Sequence, residues 1–70
     1  MNWVQVDSSN LSRVRYDEKT NTLEIEFHGG RVYQYFDVPH HLYEGLINAR
    51  DSHGKFFNEQ IKGHYRFTRV

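Results

Sequence analysis

The chain predicts an α+β fold: an antiparallel three-stranded meander covered on one face by two helices, in the order β-β-β-α-α. Three observations carry this. First, Leu23, Ile25 and Phe27 alternate with Glu24, Glu26 and His28, and a Gly29-Gly30 pair then precedes the run Tyr33-Gln34-Tyr35-Phe36. Period-two alternation, two residues free to take positive φ, and an aromatic run together make a β-hairpin. Second, Ser12, Val14 and Tyr16 alternate with Arg13, Arg15 and Asp17, giving an earlier strand with its arginines on one face. Third, Leu42, Tyr43, Leu46, Ile47 and Ala49 recur at helical spacing and form an apolar stripe to cover the sheet.

The connecting segments fit that order. Trp3, Val4 and Val6 open the chain as an arm or a short strand, and Asp7-Ser8-Ser9-Asn10 is a turn cluster whose side chains bond nearby backbone. Glu18-Lys19-Thr20-Asn21 links the first strand to the hairpin. Asp37-Val38-Pro39 reads as a helix start, with Asp37 accepting from first-turn amides and proline tolerated there. Arg50-Asp51-Ser52-His53-Gly54 interrupts the stripe, and Ser52 is the N-cap of a second helix from about Gly54 to Lys62, with Phe57 and Ile61 on one face. Gly63 follows its end, and the alternating tail His64 to Val70 is an extended segment or edge strand.

Seventy residues allow one domain, residues 1–70, with 1–7 as its arm. Without cysteine there are no disulfides or thiolate metal sites, so five Tyr, five Phe and one Trp must supply the core. Nine basic and nine acidic residues give zero net charge, which weighs against an overtly nucleic-acid-binding surface. Charge is nevertheless segregated: Lys62, Arg66 and Arg69 fall in a tail with no acid. The N-terminus lacks a basic flank followed by an apolar segment, and no run approaches the roughly 20 apolar residues that span a bilayer. The expectation is a cytoplasmic protein with no membrane partner.

Several motifs fall in an order that resembles the KTSC family: Ser8-Ser9, Tyr16-Asp17, Leu23-x-Ile25-x-Phe27, Gly30, Tyr33-x-Tyr35, Val38-Pro39 and Ala49-x-x-Ser52-x-Gly54-Lys55-Phe56-Phe57-Asn58. That family is named for a domain at the C-terminus of some lysyl-transfer-RNA synthetases and also occurs as small free-standing bacterial and phage proteins. The resemblance runs from about Ser8 to Tyr65 and leaves the arm outside. It implies a non-enzymatic module for which RNA binding, to transfer RNA or a single strand, is the suggested role. His53 departs from the pattern, standing where a lysine or other polar residue is expected.

Tyr33-x-Tyr35 is the sharpest candidate, and hairpin register decides its direction. A two-residue turn would set both tyrosines on the outer face with Glu24 and His28, as a stacking platform for unpaired bases. A three-residue loop, with Gly30 in the left-handed position, pairs Ile25 with Tyr33 and Leu23 with Tyr35; it gives the more consistent polar pattern. The tyrosines then join the core, Ser52 and Gly54 are likewise structural, and any binding face lies among other residues. The candidate nucleic-acid contacts are Arg13, Arg15, Lys55, Lys62, Tyr65, Arg66 and Arg69, converging if the tail lies near the first strand; the ordinary alternative is a solvated, mixed-charge surface. His40 and His41 are adjacent and splay on a helix, so neither a metal site nor a cofactor is expected, and the histidines read as surface or capping residues. Ser8, Ser9, Ser52 and His53 match no catalytic motif, so no catalytic residues are assigned. The competing expectation is a protein-interaction domain using Trp3, Phe36 or Phe67, or a sheet edge; an enzyme is a distant third.

Overall fold

A computed structural model describes residues 2–49 and 52–70. The alternating segments become β1 (Val4–Gln5), β2 (Leu11–Asp17), β3 (Thr22–Phe27), β4 (Val32–Tyr35) and β5 (Phe67–Arg69), with α1 (His40–Asn48) and α2 (His53–Gln60) between the last two strands. The strands form one antiparallel sheet in chain order, β1-β2-β3-β4-β5. The α+β class and the two covering helices are as expected, but the sheet has five strands rather than three. Both end segments pair: Val4 lies opposite Val14, and Phe67 opposite Tyr35. Strands of two and three residues are too short to carry a legible period of their own; the neighbouring strand recruits them.

Register follows the three-residue loop. Ile25 faces Tyr33 and Leu23 faces Tyr35. The Phe27 N–H donates to the Arg31 carbonyl at 2.8 Å, and the Gly30 N–H to the Phe27 carbonyl at 3.0 Å, with Gly29 and Gly30 at φ +99° and +93°. On β2 a bulge intervenes, because Leu11 pairs with Phe27 while Arg13 already pairs with Glu26. The additional residue re-aims the strand, so Leu11 enters the core together with Val14.

The helix-side face supplies Leu11, Val14, Tyr16, Leu23, Ile25 and Tyr35, which pack on Val38, Leu46, Phe57 and Ile61. Tyr16 ties the layers together. Its hydroxyl donates to the Val38 carbonyl at 2.5 Å and lies 3.0 Å from the Asn21 amide oxygen, while its ring stacks on Tyr43 with centroids 5.1 Å apart. The start of α1 differs from expectation. Asp37 takes φ +59°, its carboxylate meets Arg66 at 3.3 Å, and Pro39 occupies the N-cap without a side-chain bond. The left-handed turn at Asp37 carries its side chain away from the helix amides. Ser52 does cap α2, accepting from the Lys55 N–H at 3.1 Å. Arg50 and Asp51, in the break between the helices, lie outside the described residues, as does Met1.

The opposite sheet face carries a polar ladder. Arg13 pairs with Glu26 at 2.6 Å, Arg15 pairs with Glu24, and Glu24 also accepts from Gln34 at 2.6 Å. Trp3 lies against both guanidiniums, 4.4 Å from Arg13 and 4.2 Å from Arg15.

These contacts set expected stabilities. Tyr16→Phe leaves the Val38 carbonyl without its donor and lowers unfolding free energy by about 1–2 kcal/mol in urea denaturation. The side chain of Glu24 is 7% exposed against 19% for Glu26, so Arg15→Ala costs more than Arg13→Ala, about 2–3 kcal/mol against about 1 kcal/mol. Equal effects would mean that burial of the carboxylate is not what matters. Burial also pushes the Tyr16, Tyr35 and Tyr43 phenols above their ordinary value, with Glu18 and Asp17 adding to the effect at Tyr16 and Tyr33 adding to it at Tyr35. Folding therefore favours the neutral phenol. The resulting stabilisation is full below the unfolded value near 10 and is lost as pH rises through the folded values, as an alkaline denaturation series would record.

Candidate functional site

Alternation places Phe27, Tyr33 and Tyr35 on the helix side of β3 and β4, and the pairing of β5 adds Phe67 beside the two tyrosines. Phe57 reaches the same place from α2. These five rings form a closed circuit. Phe27 meets Tyr33 at 5.6 Å, Tyr33 meets Phe67 at 5.7 Å, and Phe67 meets Tyr35 at 5.6 Å. Tyr35 then meets Phe57 at 5.5 Å, and Phe57 returns to Phe27 at 5.6 Å. Such pairs add about 0.5–1.5 kcal/mol each beyond their buried area. The circuit lines an open cleft of about 510 Å³, within the size range of small-molecule sites. Tyr35 and Phe57 are buried at its base, and Phe67, 58% exposed, stands at its edge.

The rim is polar and cationic. Arg31 follows the glycine pair and lies 6.0 Å from the Phe27 ring, and Lys62 comes from the turn after α2. His28 also lines the cleft and donates from Nε2 to the Ser8 carbonyl at 2.8 Å. Ser9, Asn10 and Asn58 complete the polar lining, and among the described residues no carboxylate belongs to it. Neither Arg31 nor Lys62 has an acidic partner among the described residues. A ring of aromatic faces rimmed by positive charge disfavours a cation and favours a flat ligand bearing an anion.

Beside it lies a second, polar cleft of about 550 Å³ between the Asp7–Asn10 turn and the first turns of α2. Ser8 organises this junction, accepting from the Asn10 and Leu11 amides at 3.1 and 3.2 Å. A Cβ on Gly54 would sit 3.3 Å from the Ser8 hydroxyl oxygen, so glycine allows the helix to approach the turn closely. Lys55 lines this cleft together with Asp7 and Glu59, and its charge is opposed there.

The basic residues singled out from the sequence do not converge. Arg13 and Arg15 are on the far face of the sheet, engaged by Glu26 and Glu24. The β2 and β5 strands stand three spacings apart, roughly 14 Å, so the tail does not reach the first strand. Arg66 meets Asp37 and lies 5.7 Å from the Phe36 ring. Arg69 is opposite Tyr33 on the edge strand, Tyr65 packs partly against the core, and Lys62 alone of that set lines the aromatic cleft. Tyr33 and Tyr35 do join the core side, yet the helices leave that end of the face open, so the same tyrosines line the cleft.

Arg31 and Phe57 escaped the sequence reading as site residues. The signal for Arg31 was its place between the glycine pair and the tyrosine motif; Phe57 gave none, because its helical spacing reads equally as core. His53, expected at the surface or as a cap, is buried and donates from Nδ1 to the Leu46 carbonyl at 2.8 Å, joining α2 to α1. His40 lies between Glu18 at 3.2 Å and Glu44 at 3.4 Å. Among the described residues no three histidine or carboxylate side chains gather as a metal site would require, and no helix is long and apolar enough to cross a membrane.

Comparison with known proteins places this geometry. A family model for the KTSC domain matches residues 7–65. A lysine–tRNA ligase of Nostoc punctiforme is 44% identical over 64 residues, covering 91% of this chain and 11% of the ligase; the chain thus spans about a ninth of that relative's length. An uncharacterized protein of Stutzerimonas stutzeri is 39% identical over 71 residues, covering 100% of this chain and 99% of its own. The crystal structure of a KTSC domain protein from Yersinia pestis superposes with a TM-score of 0.89 at 31% identity, over 99% of this chain and 96% of that one. With the family match running from Asp7 to Tyr65 and taking in every lining residue of the two clefts except Phe67, the chain belongs to the KTSC domain family.

Proposed function

We propose that the chain is a small, non-enzymatic RNA-binding module that stacks an unpaired base in the aromatic cleft and holds flanking phosphate with Arg31 and Lys62. One observation carries the reading: a circuit of five aromatic rings lines a cleft with two cations on its rim and no carboxylate in its lining among the described residues. Base–aromatic stacking contributes about 1–3 kcal/mol per base, and a cation beside the stack adds a charge-assisted phosphate contact. Neutral net charge is compatible with this reading because Arg13, Arg15 and Arg66 are matched by acids elsewhere. The related segment of the Nostoc punctiforme protein belongs to an enzyme that joins lysine to tRNA, which makes transfer RNA and single-stranded RNA in a bacterial or phage cytoplasm the first ligands to test.

Exposed Phe67 on the edge strand and Val70 just after it favour a second reading, an extended peptide added to β5. The two readings differ in their dependence on charge. Fluorescence anisotropy with labelled single-stranded RNA and transfer RNA at low and moderate salt is the test. Salt-dependent binding is expected, with Arg31→Ala and Lys62→Ala each weakening affinity about three- to tenfold and lowering the log–log salt slope by about 0.7. Absence of binding at low salt, or binding indifferent to salt and to both substitutions, overturns the proposal.

A further inference from the structure

Among the described residues four buried side chains carry polar atoms: Tyr16, Glu24, Tyr35 and His53. Three of them are satisfied within the fold. Tyr16 donates to Val38, Glu24 accepts from Arg15 and Gln34, and His53 donates to Leu46. The hydroxyl of Tyr35 has no hydrogen-bond partner among the described residues, although the residue is only 5% exposed. No polar side-chain atom of the described residues is both sealed from solvent and unbonded. Tyr35 lines the aromatic cleft, and no described residue bonds its hydroxyl.

Buried polar groups are hydrogen-bonded as a rule, so a hydroxyl left open at the base of an apolar cleft selects what enters. We infer that Tyr35 is the specificity-determining residue of this cleft, its hydroxyl bonding the polar edge of the unpaired nucleobase that stacks among the rings. This rests on the RNA-binding reading and deepens it. A nucleobase presents carbonyl, ring-nitrogen and amino groups at its edge, and a phenol can donate to the first two or accept from the third. A plain hydrocarbon ring, such as a phenylalanine side chain, presents none. Its entry would cover the hydroxyl without satisfying it, a handicap of roughly tenfold or more in affinity. Burial, with the Tyr33 phenol beside it, holds the Tyr35 phenol above its ordinary value, so at neutral pH it is protonated and able to donate. Tyr33 shares the cleft but is only partly buried.

Tyr35→Phe isolates the effect, because it keeps the ring and its contacts with Phe57 and Phe67 and breaks no internal hydrogen bond. The probes are labelled tetra-adenylate, tetracytidylate and tetrauridylate, with an abasic tetranucleotide for the phosphate contribution alone. The wild-type protein is expected to bind at least one base-bearing probe more tightly than the abasic one. In Tyr35→Phe that advantage falls roughly three- to tenfold, differences among the bases narrow, abasic binding is unchanged, and melting temperature is preserved; Tyr33→Phe has the smaller effect. If Tyr35→Phe retains the wild-type affinities and ranking, the hydroxyl reads nothing and the inference is overturned. Equal wild-type binding of abasic and base-bearing probes also overturns it while leaving RNA binding intact. No binding of any probe at low salt, or saturation of the cleft by a phenylalanine-containing peptide instead, removes both the inference and the reading beneath it.

Discussion

Two glycines at positive φ set the register of one hairpin, and the two faces of the protein follow from it. Because side chains alternate along a strand, a one-residue slip between β3 and β4 would exchange them. Gln34 would lose its place beside Glu24, and Tyr33 and Tyr35 would stand among the ladder of ion pairs. In the observed register, Leu23 and Ile25 lie opposite the tyrosines, while Glu24 and Glu26 are left to meet Arg15 and Arg13. The aromatic cleft and the charged ladder are thus two results of a single backbone choice at Gly29 and Gly30.

The cleft exists because the cover is incomplete. Two helices of nine and eight residues are shorter than a five-stranded sheet needs for full cover. Leu46, Phe57 and Ile61 close most of the helix-side face. Towards β5 the rings of Tyr33 and Phe67 line an open cleft. They bury surface against one another, which is why the same tyrosines both hold the sheet and present an open face. In a chain this small, core and binding surface are made from the same side chains.

That double use explains how far the sequence could be read. The hairpin, its three-residue loop, the α1 stripe, the Ser52 cap and the α+β class were legible because each rests on local chemistry: alternation, glycine conformation, helical spacing and hydroxyl capping. The two edge strands were legible only as alternatives to an arm and an extended tail, since Val4–Gln5 and Phe67–Arg69 are defined by what they pair with. Core and site read as exclusive destinations for Tyr33 and Tyr35, and that directs attention to the basic residues and Tyr65. Arg13 and Arg15 then looked available because their acidic partners lie nine and thirteen positions away, on the next strand. Charge matching across a sheet depends on register, and no count of charges along the chain contains it. Glu24 was hidden for the same reason: its alternation marked it as outward, whereas Arg15 and Gln34 cover it there.

The ladder on the far face has a consequence for how such a domain travels between proteins. Arginine and glutamate neighbours satisfy one another strand to strand, and Trp3 lies across the guanidiniums. On this face the charges of Arg13 and Arg15 are matched from within the sheet. Related chains form 11% of one protein and 99% of another, two settings with very different surroundings. In this chain the hairpin register supplies that charge balance, by setting Glu24 and Glu26 opposite Arg15 and Arg13.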